Sequence, residues 1–348
     1  MQYHSKEVGT MRKSITAAAL VSVLALAGCS APATGGGAGD SSVTVDTPIG
    51  EAEKTELTIA LSAPNVDSQA PVHIAIDKGF YEEEGLTISI IDADNIREGL
   101  VGGSLDLGVD NSIDLIDAAV AGTGLKIVAG YRAREPFLLA ASADVKEPAD
   151  LEGKQVILGD APGTPIIDVR LNELAKAGFD LEGVGYQAVF PPGFSNAWVE
   201  NFVADQVKLT PLFPRHIPII EEAGGHFVLN EMMEWPNDSL ATSESWVAEN
   251  PNTLARFIRA TTKGIEVYKD LSQQEYVQTL MESKDFTVTD AERDPAIYAY
   301  GPLLYDENML MNQDSFEEAL AAFGMEVPDW NSYVDDLNLQ RAQAALEG

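Results

Sequence analysis

Residues 57–91 read LTIALSAPNVDSQAPVHIAIDKGFYEEEGLTISII. A β-type run at 57–61 gives way to a polar loop at 63–69. An amphipathic stretch follows, opened by Pro71 and stopped by Gly79, before a second β-type run at 87–91. Proline suits the first turn of a helix, where its missing donor would be unpaired anyway, and glycine takes the left-handed backbone that ends one. Strand, helix and strand in so short a span make a unit that lays parallel strands side by side.

The same rhythm continues outward. The spacing predicts a helix at 96–101, a strand at 105–109, a helix at 113–121 capped by Asn111 or Ser112, and a strand at 126–131. A second set starts near Phe137 with strands at 137–141 and 155–158. A loop at 159–164 then leads into a helix opened by Thr164 and Pro165 and ended by Gly178. A strand at 185–189, a helix at 197–203, a short apolar strand at 209–213 and a helix at 217–223 complete it. After Pro251, residues Leu254, Phe257, Ile258, Thr261, Ile265 and Tyr268 fall at helical spacing, a core face expected to pack back onto the first set. The chain then passes between two lobes twice, near 137–141 and 240–242, which makes a hinge with a cleft.

Charge and export signals bound the function. The 348 residues carry 55 acidic and 22 basic side chains, a net charge of −33 that repels nucleic acid and anionic headgroups, so no nucleic-acid partner is expected. Lys6, Arg12 and Lys13 precede an apolar run at 15–27, the pattern of a secretory signal too short to span a bilayer. It ends in Leu26-Ala27-Gly28-Cys29, and Cys29 is the sole cysteine. This resembles a bacterial lipobox, which implies a signal peptide at 1–28 and lipidation of Cys29 as the membrane anchor. Residues 29–55, rich in Gly, Ala, Ser, Thr and Pro, are expected to be a flexible tether. A single cysteine allows no disulfide, and His73, His216 and His226 have no metal-ligand spacing, so no metal or cofactor is expected.

Four stretches carry a family resemblance: PVHIAIDKGFYEEEGL at 71–86, EGLVGGSLDLG at 98–108, ADLEGKQV at 149–156 and SESWVAENP at 243–251. In this order, and with the lipobox, the chain resembles the solute-binding lipoproteins of ABC transporters, in the SsuA/THI5-like (NMT1-like) group. The resemblance implies an α/β chain with the type II periplasmic-binding-protein fold, two doubly wound α/β lobes joined by a two-strand hinge. Lobe I would comprise 56–136 plus 243–348, and lobe II 137–242. It also implies a monomer on the outer face of the plasma membrane or in the periplasm, which passes a small solute to a permease and its ATPase subunit. One departure stands out. Where the group usually has a Gly-x-Val-Asp-Ala turn, this chain reads Asp205-Gln206-Val207-Lys208, with lysine at the acidic position.

Ligands of open α/β sheets bind at the carboxyl ends of strands, so the loops there supply the candidate contacts. Asn65, Asp67, Ser68 and Gln69 follow the first strand, and Asp110, Asn111 and Ser112 follow the third. Short polar side chains there are equally the chemistry of turns and caps. Arg132 offers a guanidinium to a carboxylate or sulfonate, whereas Arg134 reads as a surface ion-pair partner. Gly163 and Thr164 precede a helix whose free amides favour an electron-rich group. Phe190 and Trp198 flank the Pro191-Pro192-Gly193 loop and can stack on a planar ring, as can Trp235, although aromatics at such positions also build cores.

The solutes implied are a thiamine-type pyrimidine or other planar heterocycle, or an organic sulfonate or carboxylate. An exported enzyme is the rival reading, but GFSNA at 193–197 lacks the second glycine of a nucleophile elbow. The sequence also has no zinc-protease, phosphate-loop or dinucleotide motif, so no enzymatic activity is expected. A sensory lipoprotein on the same shell is a third reading.

Overall fold

The computed structural model describes residues 43–93 and 95–347; the signal segment, Cys29 and most of the 29–55 stretch lie outside the described residues. Among the described residues eight strands form one sheet: β1 (Glu56–Leu61), β2 (Thr87–Ile90), β3 (Leu107–Asn111), β4 (Leu125–Ala141), β5 (Gln155–Val156), β6 (Gln187–Ala188), β7 (Leu209–Leu212) and β8 (His226–Ser243). Their order is β2-β1-β3-β8-β4-β7-β5-β6. β1 runs parallel to β2 and β3, and β5 runs parallel to β6 and β7. β8 is antiparallel to β3 and β4, and β4 is antiparallel to β7.

The strands expected at 126–131 and 137–141 are one 17-residue strand, β4, and its partner β8 runs 18 residues where the sequence marked a crossing only near 240–242. The stretch 132–136, Arg-Ala-Arg-Glu-Pro, reads as a polar break. It stays in the ladder because opposite charges meet across it, Arg132 against Asp238 and Arg134 against Glu234. Register shifts on both sides of Arg132 bend the pair there, as bulges do.

On either side of this polar crossing the sheet buries its own core. In β4, Val128, Ala129 and Tyr131 join one cluster of the first half, which also takes Leu254, Phe257, Ile258, Ile265 and Tyr268 from the helix Pro251–Lys269. The expected core face after Pro251 is therefore where its period puts it. Leu125 and Ile127 join the cluster on the opposite face. Further along, Phe137, Leu139 and Ala141 point to one face of the second half and Leu138 and Ala140 to the other, the alternation of a strand buried on both sides.

The first helix departs from expectation. It spans Val66–Asp77, with Asn65 as its cap and Pro71 inside it. The Asn65 side chain accepts from the Ser68 amide at 2.9 Å, so the helix starts a turn before the proline. Proline has no amide to offer the carbonyl four residues back. That carbonyl, of Asp67, instead accepts from the Tyr305 hydroxyl.

A C-terminal segment lies along β4 at the crossing. Gly130 N donates to Met309 O at 2.9 Å, and Ala133 N and Arg134 N donate to Leu304 O at 2.9 and 3.1 Å. A Cβ on Gly130 would stand 2.5 Å from Leu310 O, so glycine is what lets the segment come this close.

Candidate functional site

The loop after β1, the start of the helix Val66–Asp77, the crossing of β4 and β8 and the loop after β7 enclose a cavity of about 430 Å³. A side chamber of about 230 Å³ adjoins it, and Glu135, Pro136, Phe213 and Asn237 line both. The main cavity falls in the usual size range for a small-molecule site.

The wall from the first half is acidic. Asp67 projects from the first turn of its helix, and its Oδ1 accepts from the Tyr268 hydroxyl at 2.8 Å. Burial raises the Asp67 carboxyl above its ordinary pKa, the Tyr268 bond pulls it back, and Glu292, also on this wall, adds a like charge. Behind Asp67 the rings of Tyr131, Tyr268, Tyr298 and Tyr305 meet edge to face at 5.2–5.9 Å. Tyr131 also donates to Ser68 O at 3.0 Å, which fixes the turn that carries Asp67.

The floor is the crossing itself. Arg132 donates through Nε and Nη2 to Oδ2 of Asp238, both at 2.6 Å. Burial works against the Arg132 charge, but Asp238, Tyr305 and Glu135 hold its pKa above the ordinary value. Glu135 faces the cavity with a carboxyl raised by burial, accepts from the Asn237 side chain, and is partly offset by Arg132.

The wall from the second half is basic and aromatic. Arg215, just after β7, lies over the Phe213 ring at 5.0 Å and donates to the Ser195 hydroxyl at 3.2 Å. In the side chamber Arg170, from the helix Pro165–Lys176, donates to Leu158 O at 2.7 Å and lies 5.6 Å from the Trp198 ring. Trp235 packs beside it on Phe137 and Phe323, at 6.0 and 6.1 Å.

The structure thus brings Asn65, Asp67 and Arg132 together on the main cavity and Trp198 and Trp235 onto the side chamber. The other candidates are not on either wall. Ser68 is buried, and the Gln69 amide braces the loop by donating to Leu61 O and Ala63 O at 3.3 Å. Asp110 pairs with Arg97 at 3.4 Å, Asn111 caps the helix Ser112–Val120, and the Ser112 and Ser239 hydroxyls share a bond of 2.7 Å. The Thr164 hydroxyl donates to Ala161 O at 2.9 Å beside exposed Gly163, and Phe190 lines neither space.

Arg132 is not the free guanidinium the sequence suggested, because Asp238 already takes it. Lys208, at the departure from the family turn, pairs at the surface with Asp144 and Asp205. His73 packs edge-on against Phe286, and burial pushes its pKa down to about 4. Among the described residues no cluster of His, Cys, Asp and Glu forms a metal site, and no helix is long and apolar enough to cross a membrane.

Sequence reasoning missed Glu135, Asn237, Arg170, Arg215, Tyr298 and Tyr300, all on the walls of these spaces. Glu135 carried a signal, an acid between the apolar runs of β4. Tyr298 and Tyr300 carried none, since only the return of the C-terminal segment puts them there.

Comparison with known proteins agrees with this architecture. A formylaminopyrimidine-binding protein from Halalkalibacterium halodurans is 29% identical over 208 residues, which is 56% of this chain and 61% of the relative; the chain thus matches less than two thirds of that relative's length. The putative periplasmic sulfonate-binding protein SsuA of Methylobacillus flagellatus superposes with a TM-score of 0.61 at 16% identity, over 85% of this chain and 96% of that one. The aliphatic sulphonate binding protein SsuA of Escherichia coli gives a TM-score of 0.56 at 14% identity, over 82% and 93%. At such identities the likeness shows the fold, that of periplasmic binding proteins. The NMT1/THI5-like family model matches residues 67–273, more than half of the sequence, and the chain belongs to that family.

Proposed function

We propose that the chain is the extracytoplasmic solute-binding subunit of an ABC importer, which binds without transforming its ligand. It would work as a monomer, anchored through a lipid on Cys29 and a 29–55 tether whose end is docked, Gly50 N and Lys54 N donating to the Asn252 and Thr253 side chains at 3.0 Å, and hand its solute to a permease driven by an ATPase subunit. The lobes, 56–136 plus 243–348 and 137–242, would close on the solute by bending where β4 and β8 pass through 132–136 and 232–238. Differential affinity for the closed state is what shifts such an equilibrium.

The solute class we favour is an amino-substituted planar nitrogen heterocycle of the pyrimidine type. One observation carries this: the carboxyls of Asp67 and Glu135 line the cavity with pKa values raised by burial, so each gains from a ligand that brings N–H donors. Phe213, Tyr298 and Tyr300 supply ring faces beside them. A simple alkanesulfonate would meet these acids, and of the two cations lining the main cavity Arg132 is held by Asp238, which leaves Arg215 on the opposite wall. The likeness to a formylaminopyrimidine-binding protein agrees with this choice.

A thermal-shift comparison of aminopyrimidines with alkanesulfonates tests the reading. A true ligand at about 100 times its dissociation constant adds about 3 kcal/mol of stability. Response to alkanesulfonates alone ends the heterocycle assignment, and chemical turnover of the ligand ends the transport assignment.

A further inference from the structure

The proposed heterocycle contacts leave one part of the site unexplained. The side chamber holds a half-buried guanidinium, Arg170, whose hydrogen bond to Leu158 O uses a neutral acceptor. No carboxylate among the described residues forms an ion pair with it. Two acids face it at longer range, Glu135 and Asp160. Asp160 is exposed, so water screens it, and the Glu135 carboxylate is engaged by Asn237. Burial accordingly outweighs both and pushes the Arg170 pKa down to about 10. A buried charge without an ion-pair partner is costly, and arginine's planar fork offers donors matched to an oxyacid.

Arg215 repeats the theme in the main cavity. Its hydrogen-bond partner is a serine hydroxyl and its ring partner is Phe213; no described carboxylate pairs with it either. The cleft is therefore polarised, with Asp67 and Glu292 on the wall from the first half and, apart from exposed Asp160, Arg215 and Arg170 on the wall from the second. The passage between the two spaces runs past Glu135, Asn237 and Phe213.

From this arrangement we infer that the physiological ligand is dipolar: besides the amino-heterocyclic head it bears an anionic oxyacid group, which seats in the side chamber against Arg170. The inference rests on the heterocycle reading of the main cavity and extends it. Arg170 is then a specificity-determining residue, and Trp198, beside it in the chamber, keeps the guanidinium in place.

Isothermal titration of the purified chain with three probe types tests this: 4-amino-2-methylpyrimidine, the same ring carrying a 5-linked carboxylate on a tether lengthened one methylene at a time, and the matching primary carboxamides. At the best tether length the carboxylate should bind about ten-fold more tightly than its carboxamide. Arg170→Gln should abolish that preference, and Arg170→Lys should keep part of it. If the bare ring binds but carboxylate and carboxamide are equal in the unaltered chain, the acidic-tail inference falls and the heterocycle reading stands. A preference that survives Arg170→Gln also overturns it. If no probe binds, both readings fall. The carboxylate-to-carboxamide comparison needs no variant, so it decides even if Arg170→Gln does not fold.

Discussion

The two walls of the cavity are built differently. Around Asp67, the acid wall is tied down from behind: Tyr268 donates to its carboxylate, Tyr305 to its carbonyl and Tyr131 to the next residue. The basic wall leaves Arg215 with a hydroxyl and a ring, and Arg170 with one carbonyl and a ring. One side is preorganised by the protein, whereas the cations on the other have no carboxylate of their own among the described residues. Preorganisation reduces the ordering cost of binding, and unpaired buried charge raises the gain when a ligand arrives. Mutations in the acid wall should therefore alter stability as well as affinity, and those in the basic wall chiefly affinity.

The largest expected effect is at the floor between them. Asp238→Ala leaves Arg132 buried without its carboxylate and should destabilise the chain by about 3–5 kcal/mol in urea unfolding. A loss below about 1 kcal/mol would mean that Arg132 relaxes to water and belongs with the loose cations after all.

Asp67→Asn comes next. It keeps an acceptor for Tyr268 but removes the charge, and should weaken heterocycle binding about 100-fold, or about 2.7 kcal/mol. The pH dependence carries its own sign. Because burial raises the folded-state pKa, Asp67 contributes stability to the unliganded protein that is fully present below the unfolded value and lost as pH rises through the raised one. At pH 8 unliganded Asp67→Asn should thus melt above the unaltered chain, and the difference should vanish toward pH 4. A melting difference independent of pH would show that Asp67 titrates as an ordinary surface carboxylate.

The smallest effects set the walls side by side. Tyr268→Phe should cost about 1 kcal/mol through its lost bond to Asp67, whereas Arg215→Gln should change stability by less than about 0.5 kcal/mol. Equal losses in denaturant titration would erase the contrast.

Much of the fold could be read from the sequence because its signals are local. The period of Leu254, Phe257, Ile258, Thr261, Ile265 and Tyr268 needs only a helix to give it meaning, and all six are buried. The crossing could not be read this way, since the polar 132–136 stretch is extended only by virtue of β8, a partner about a hundred residues away in the chain. The candidate loops show the same limit. Asp67 and Asp110 each stand in a short polar run after an apolar one, yet Asp67 lines the cavity while Asp110, the penultimate residue of β3, does not. β8 pairs against the end of β3, with Asn111 opposite Asp238, so that run is spent on caps and on a serine–serine bond. Arg170 and Arg215 look like any surface arginine until the second half folds around them.

Gly130 has a mechanical consequence. With no side chain there, the 304–309 backbone is fastened to β4 at three amides, wrapping the crossing like a cuff round a wrist. Flexing that wrist must drag the cuff along or unfasten it, so any bending of the crossing would be limited by these three bonds.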